Sequence, residues 1–265
     1  MTQVYIDAVG VVGPGFPDWR MAREVLRGER PHDTGQLPRP DAGMLPANER
    51  RRAAHTVRWA LTAAQEAMSA SSYGAAEVAT VFAASGSDGA TLHHLCEALA
   101  SPRREVSPTR FHNSVHNAAA GYWSIAAGSQ RPSTSLSAYD ASFAAGLIEA
   151  ASQVWSERTA VLLVAYDLPY PPPLHAIRPV AEPFAVALVL AAEARPGTLA
   201  CCRITAGSGS AACSPFPVGL QGDLASNPAA SSLPLLESIA RERCELVRLP
   251  YLDGCHIVAE TVAWH

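Results

Sequence analysis

A short predicted strand at residues 133–138 runs into a predicted helix at residues 142–155 that is apolar around nearly its whole circumference. Phe143 begins a run dominated by alanine, leucine, isoleucine and valine, and Glu149 is the only charged residue before the helix ends. A helix without a polar face has to be covered on all sides. The fold must therefore enclose this helix. Its outer cover is either residues 207–265 or another protein chain, and we expect a partner chain to cover some of the apolar surface.

Predicted strands alternate with predicted helices along the rest of the chain. Several strands are apolar throughout, which is typical of strands buried on both faces. The pattern predicts an α/β sheet with helices on both faces, in a chain long enough for one domain. The predicted strands are 4–12, 77–84, 133–138, 159–165, 184–192, 199–205 and 257–264. The predicted helices are 18–26, one N-capped by Asn48, 91–99, an apolar helix that follows a loop starting at residue 107, 142–155 and 233–243.

Composition excludes several classes of function. The net charge of −4 argues against a partner held through nucleic-acid phosphates. All 20 basic residues are arginine, so Schiff-base chemistry and any mechanism that needs a lysine ammonium are excluded. We therefore expect no nucleic-acid partner and no lysine-dependent catalysis.

Targeting signals and membrane spans are not evident in the sequence. The first ten residues resemble a strand and not a signal peptide, and no apolar run is long enough to cross a bilayer. The six cysteines form neither a CxxC pair nor a zinc-site spacing, which favours reduced thiols. We expect a cytoplasmic protein without a cofactor.

Two further motifs admit more than one interpretation. His112 and His116 would share a face if they lay on one helix, but no third metal ligand is evident, so a structural or interface role is favoured over a metal site. The glycine-rich segment at residues 85–89 follows a strand, as a phosphate-binding loop would, but it lacks the P-loop lysine. An ordinary tight turn is the preferred interpretation.

Two central segments carry a resemblance to a known family. They are Phe-His-Asn-Ser-Val-His-Asn-Ala-Ala-Ala-Gly-Tyr-Trp at residues 111–123 and Ser-Ala-Tyr-Asp-Ala-Ser-Phe at residues 137–143, and residues 227–241 add to the match. Together they resemble the β-ketoacyl synthase-like N-terminal domain proteins, thiolase-like proteins described as chain-length factors beside aryl polyene and xanthomonadin pigment genes.

The resemblance implies a thiolase-like half-fold. Its sheet would have about five strands, with helices on both faces and a short C-terminal αβ tail. Residues 1–206 would form the part similar to the N-terminal half of a ketosynthase. Residues 207–265 would form an abbreviated tail that packs on the same domain.

The resemblance also implies that Tyr139 stands where a ketosynthase has its nucleophilic cysteine, next to Asp140. A protonated phenol is a poor nucleophile for thioester exchange. The His-Gly-Thr and Asn-Ser-Phe-Gly motifs that carry the synthase histidines do not occur in the chain. The chain is therefore expected to be non-catalytic, with Tyr139 either gating an acyl tunnel or only filling space.

A non-catalytic subunit of this type would pair with an active β-ketoacyl synthase and receive acyl carrier protein directly or through that partner. Candidate tunnel or interface residues are Phe111, His112, His116, Asn117, Tyr122, Trp123 and Phe143. Candidate carrier-protein contacts are Arg50, Arg51, Arg52, Arg103 and Arg104, because guanidinium groups suit phosphate and carboxylate.

Two alternatives remain open at this point. One is a hydrolase or thioesterase that uses Tyr139, Asp140 and a histidine. A triad of Ser137, Asp140 and either His112 or His116 is a variant of it, although no Gly-x-Ser-x-Gly elbow is present. The other is a scaffold that only stabilises its partner. Both alternatives are compatible with the same fold and differ from the chain-length factor in what the protein does.

Overall fold

The computed structural model describes residues 2–35, 37–209, 212–220 and 222–262. Within these ranges eight strands form one sheet: β1 (Thr2–Val12), β2 (Ala79–Ala83), β3 (Ser133–Leu136), β4 (Val161–Asp167), β5 (Phe184–Ala191), β6 (Ala200–Ser208), β7 (Leu246–Leu252) and β8 (Cys255–Val262). The helices are α1 (Trp19–Arg27), α2 (Ala47–Arg52), α3 (His55–Ala70), α4 (Gly89–Ala100), α5 (Pro108–Asn113), α6 (Ala118–Ala127), α7 (Ser142–Glu157), α8 (Leu174–Ile177) and α9 (Leu233–Ala240).

The sheet is mixed, with the strand order β3-β2-β4-β5-β1-β6-β8-β7. β2 pairs in parallel with both β3 and β4, and every other neighbouring pair is antiparallel. Parallel strands end at the same edge of a sheet, so the C-terminal ends of β2, β3 and β4 lie close together. This edge carries the corner that the sequence singles out.

Helices cover both faces of the sheet, as predicted. One buried cluster joins the sheet to α1, α7 and α9, and a second joins it to α3 and α6. On the second face α3 approaches β1 so closely that a Cβ on Gly10 would lie 2.1 Å from the Ala63 carbonyl oxygen. The alternation of apolar strands and helices therefore predicts the layers correctly.

Most of the apolar helix α7 is covered by its own chain, although Trp155 near its end is 66% exposed. Phe143, Leu147 and Val154 are fully buried, and α7 contacts the sheet, the 3-10 turn Pro228–Ser232 and β7. β7 also contacts the 3-10 turn Tyr139–Ala141, although β7 and β3 lie at opposite ends of the strand order. The sheet therefore curls around α7, and of the two covers considered for this helix the C-terminal residues provide the main one.

The expected sheet of about five strands is wrong, because the described sheet has eight. The strand missed in the sequence is β7, which contains Pro250. Proline cannot donate to a ladder and argues against a central strand, but β7 is an edge strand, where proline is tolerated. β6 ends at Ser208 and so crosses the division between domain and tail that was expected at residue 206. The last strand, predicted to reach residue 264, is described as far as Val262, and residues 263 and 264 lie outside the described residues.

Two helix predictions also need correction. The helix expected from Asn48 is two helices, α2 and α3, because Ala53 and Ala54 have extended backbone between them. Asn48 is inside α2, where its side chain accepts a hydrogen bond from Arg51 instead of capping the helix. The segment before α6, expected to be a loop, contains α5, whose cap Ser107 accepts from the backbone N–H of Arg110.

A search of the helices within the described ranges finds none that is both long enough and apolar enough to cross a membrane.

Candidate functional site: the corner between β3 and α7

The corner between β3 and α7 presents the side chain of Tyr139 to the outside of the chain. Tyr139 has a φ of 53°, in the left-handed region that costs a non-glycine residue about 1 kcal/mol. The Ser142 hydroxyl accepts from the Ala138 N–H at 3.0 Å and donates to the Tyr139 carbonyl at 2.7 Å. This turn leaves the Tyr139 side chain 59% exposed.

Arg178, from the segment after α8, contacts both residues of the corner. Its guanidinium carbon lies 3.7 Å from the centroid of the Tyr139 ring, within the range of a cation–π contact. Its Nη1 lies 2.6 Å from Asp140 Oδ1. Arg178 is absent from the sequence-based candidates, because it lies 38 positions after Asp140 and no local motif marks it.

A buried carboxylate lies beneath the corner, at the end of β4. Asp167 Oδ1 accepts from the Ser85 backbone N–H at 2.9 Å and from the Ser85 hydroxyl at 2.5 Å. Ser137, before the corner, donates through its hydroxyl to the Ser85 carbonyl at 3.1 Å. Asp167 Oδ2 is buried without a hydrogen-bond partner among the described residues, and burial raises the pKa of Asp167 to about 7. The Arg178 charge opposes this rise.

We expect the D167N variant to be more stable than the wild type at high pH. Because burial raises the pKa of Asp167, its contribution to the free energy of unfolding is complete below about pH 4, where the carboxyl is protonated. This contribution is lost as the pH rises through 7. Asparagine stays neutral and can still accept from Ser85. The stability of D167N relative to the wild type should therefore rise by roughly 2 to 4 kcal/mol between pH 4 and pH 8, measured by urea unfolding.

The comparison of D167N with the wild type isolates this carboxylate. Burial also raises the pKa of Glu66 to about 7, but Glu66 is present in both proteins and its effect cancels. A stability difference that stays constant from pH 4 to pH 8 would contradict the assignment of a raised pKa to Asp167.

The glycine-rich turn at residues 85–89 is occupied by a side chain of the same protein. A Cβ on Gly86 would lie 2.5 Å from the Tyr170 hydroxyl oxygen, and one on Gly89 would lie 2.3 Å from Tyr170 Cδ1. A side chain at either position would overlap the Tyr170 ring, so both glycines are needed for this packing. Asp88 caps α4 by accepting from the Thr91 N–H at 2.6 Å. This packing favours the ordinary tight turn over a phosphate-binding loop.

The two candidate histidines lie on different elements. His112 is on α5 and its ring packs edge-on against Tyr122, with the centroids 5.8 Å apart. His116 follows α5, and its Nε2 lies 3.3 Å from the Ala84 carbonyl oxygen. They therefore do not share the face of one helix, and no group of three potential metal ligands occurs within the described ranges.

A hydrolytic triad is not assembled at the corner. Ser137 donates to the Ser85 carbonyl, and Asp140 pairs with Arg178. Neither is hydrogen-bonded to a histidine in the part of the chain that the structure describes. The residues that would have to activate a nucleophile are thus engaged in contacts that hold the corner in place.

The remaining tunnel and interface candidates divide into core and surface residues. Tyr122, Trp123 and Phe143 are buried and pack in the two core clusters. Phe111 and Asn117 are exposed. Sequence patterns do not distinguish these two groups, because aromatic residues are common both in cores and at interfaces.

Five exposed apolar side chains lie on α4, α5, α6 and the turn after α5. α4 contacts α5, α5 is joined to α6 by the His112–Tyr122 contact, and α6 contacts β3. β3 is a sheet edge without charged residues or proline, so nothing in its sequence blocks pairing with another chain. We call this the β3-edge surface, and its apolar side chains are Leu92, Leu99, Phe111, Val115 and Ile125.

The arginine candidates lie close to this surface. Arg50, Arg51 and Arg52 are on α2, and the Arg52 carbonyl accepts from Asn113 of α5 at 2.7 Å. Arg103 and Arg104 are exposed in the segment between α4 and α5. Both groups of arginines therefore lie next to α5. Two of these arginines are also near carboxylates of the same chain: Arg50 lies 3.8 Å from Asp41, and Arg52 lies 3.7 Å from Glu49.

The architecture is the thiolase-like ketosynthase fold. A chain of the complex between the ketosynthase ApeO and its chain length factor ApeC from Xenorhabdus doucetiae matches with a TM-score of 0.74 and 22% identity, over 98% of this chain and 99% of that one. A chain of the ishigamide ketosynthase/chain length factor matches with a TM-score of 0.72 and 14% identity, over 98% and 99%. At these identities the likeness shows the fold alone.

Longer ketosynthases match over only part of their length. The ketosynthase from module 1 of the bacillaene synthase of Bacillus amyloliquefaciens FZB42 has a TM-score of 0.57 and 13% identity, over 81% of this chain and 46% of that one. A search of curated protein sequences gives no match. The family description "Beta-ketoacyl synthase, N-terminal domain" matches residues 25–241, and the chain belongs to this family.

Proposed function

We propose that the protein is a non-catalytic chain-length factor that pairs with an active β-ketoacyl synthase during polyene, polyketide or fatty-acid-like chain extension. The observation that carries this proposal is the corner itself. The sharp turn between β3 and α7 exposes a tyrosine, at the position we assign to the nucleophilic cysteine, and Asp140 and Arg178 hold that tyrosine in place.

Three further observations support the proposal. The chain has the fold and nearly the full length of chains from two ketosynthase and chain length factor structures. The β3-edge surface offers apolar side chains and an unpaired strand edge for a partner. The chain's own C-terminal residues already cover much of α7, which supports a partner at the β3-edge surface more than one on the central helix.

Acyl carrier protein is the second partner that we propose. One of the similar structures contains an acyl-carrier protein in complex with its ketosynthase. On this chain the arginines beside α5 offer donors for the acidic groups of such a partner, and the contacts of Arg50 and Arg52 to carboxylates exceed 3.5 Å.

Shortening Tyr139 should change product length if Tyr139 limits the acyl tunnel. In the complex with the cognate synthase, Y139G removes the phenol ring and should shift the product distribution toward longer chains, with Y139A giving the same direction. The measurement is mass spectrometry of the released products. Y73A is the matched control, because Tyr73 also lies under an arginine, with the Arg195 guanidinium carbon 3.9 Å from its ring centroid, and this variant should leave product length unchanged.

An intact complex whose Y139G products match those of the wild type would contradict the gating role. Loss of partner solubility without this chain, combined with unchanged product length, would identify a scaffold instead. Thioester hydrolysis by the isolated chain would identify the hydrolase alternative.

A further inference from the structure

The Tyr139 ring is exposed and yet has a defined place. More than half of its side-chain surface is open to solvent. An exposed tyrosine without a partner samples several rotamers and so cannot define the wall of a tunnel. The ring contact found for Tyr139 in the described structure is the Arg178 guanidinium at 3.7 Å. The orientation of the ring therefore depends on whatever holds that guanidinium.

Arg178 is held more firmly than the ring that it contacts. Its side chain is 17% exposed, and its Nη1 lies 2.6 Å from Asp140 Oδ1. Its backbone N–H donates to the Leu174 carbonyl and its own carbonyl accepts from the Val180 N–H, both at 2.9 Å. The arginine is thus fixed at its backbone and at its tip, and it joins two consecutive residues of the corner.

We infer that Arg178 is a positioning residue that fixes the orientation of the Tyr139 ring and thereby sets which acyl lengths the complex accepts. The part that concerns acyl length rests on the proposed function. A flat guanidinium stacks on a ring and pairs with a carboxylate at the same time, whereas the ammonium of lysine pairs with the carboxylate without offering a flat face. Arg178 Nη2 is buried and has no partner among the described residues, so Tyr139 and Asp140 are its main contacts at the corner.

The chain offers a matched control for this contact. Arg195 lies over the Tyr73 ring with its guanidinium carbon 3.9 Å from the centroid. It follows β5, whose C-terminal residues pair with the start of β4, whereas the corner adjoins the end of β4. The variant R195K therefore removes the same kind of stacking at the opposite end of the sheet.

The first test uses the isolated full chain and hydroxyl-radical labelling of tyrosine, read by peptide mass spectrometry. R178K keeps a positive charge beside Asp140 and removes the stacked plane. It should raise the labelling of Tyr139 by up to roughly 1.7-fold, because the residue is already 59% exposed and loss of the cation–π contact can uncover only the remainder. D140N, which weakens the anchor and keeps the arginine, should raise it less. R195K should raise the labelling of Tyr73 and leave Tyr139 unchanged.

The second test uses the complex with the cognate synthase and compares product lengths. R178K should shift product length in the direction of Y139A, and the double variant R178K/Y139A should resemble Y139A alone. Unchanged Tyr139 labelling in R178K overturns the inference, and so does a shift in Y139A with none in R178K. Raised labelling with unchanged product length in both variants leaves the positioning role standing and overturns the proposed function instead.

Discussion

Replacing Phe111 and Ile125 together with glutamate should abolish association with the cognate ketosynthase while leaving the isolated chain folded. Both residues belong to the β3-edge surface and are 65% and 51% exposed, so the monomer tolerates charge at these positions. A partner that covers them would have to bury two unpaired carboxylates. We expect the affinity to fall roughly 100-fold or more, measured by calorimetry or by co-elution on size exclusion.

The control for this prediction lies at the other edge of the sheet. Leu246 at the start of β7 is exposed to a similar extent, and β7 is the last strand in the order that begins with β3. L246E should therefore leave association unchanged. Retention of full affinity in the double glutamate variant, or an equal loss in L246E, would show that the partner does not bind at the β3-edge surface.

Sequence reasoning predicts part of the environment of α7. The apolar periodicity of residues 142–155 correctly predicts a helix that is buried over most of its circumference, but Trp155 near its end is 66% exposed. It does not reveal what covers the helix, because that depends on how β6, β8 and β7 curl back over it. Phe111 and Ile125 remain exposed, whereas Tyr122 and Trp123 are buried.

Local sequence patterns predict most of the helices and strands but miss those that depend on packing against the rest of the fold. The break between α2 and α3 falls at two alanines, which have high helix propensity, so neither glycine nor proline marks it. Pro250 argues against a strand at residues 246–252, although these residues form the edge strand β7. In both places the surrounding fold overrides a correct local preference.

The candidate site shows the same limit at longer range. The corner and Tyr139 follow from a contiguous motif at residues 137–143. Arg178 and Asp167 do not, because they reach the corner from α8 and β4 through tertiary contacts. The proline cluster at residues 169–173 predicts only a rigid, extended segment. That this segment brings Arg178 to Tyr139 is evident only from the structure.

Under the proposed function, this chain shapes the reaction and a partner supplies the nucleophile. The most direct test incubates the reconstituted complex with acyl-loaded carrier protein and measures the intact mass of each subunit. A tyrosine phenol is a poor acceptor in thioester exchange, and Ser137 and Asp140 are engaged with Ser85 and Arg178. The account predicts one acyl group on the synthase and none on this chain, and an acyl adduct on this chain, at Tyr139 or elsewhere, would contradict it.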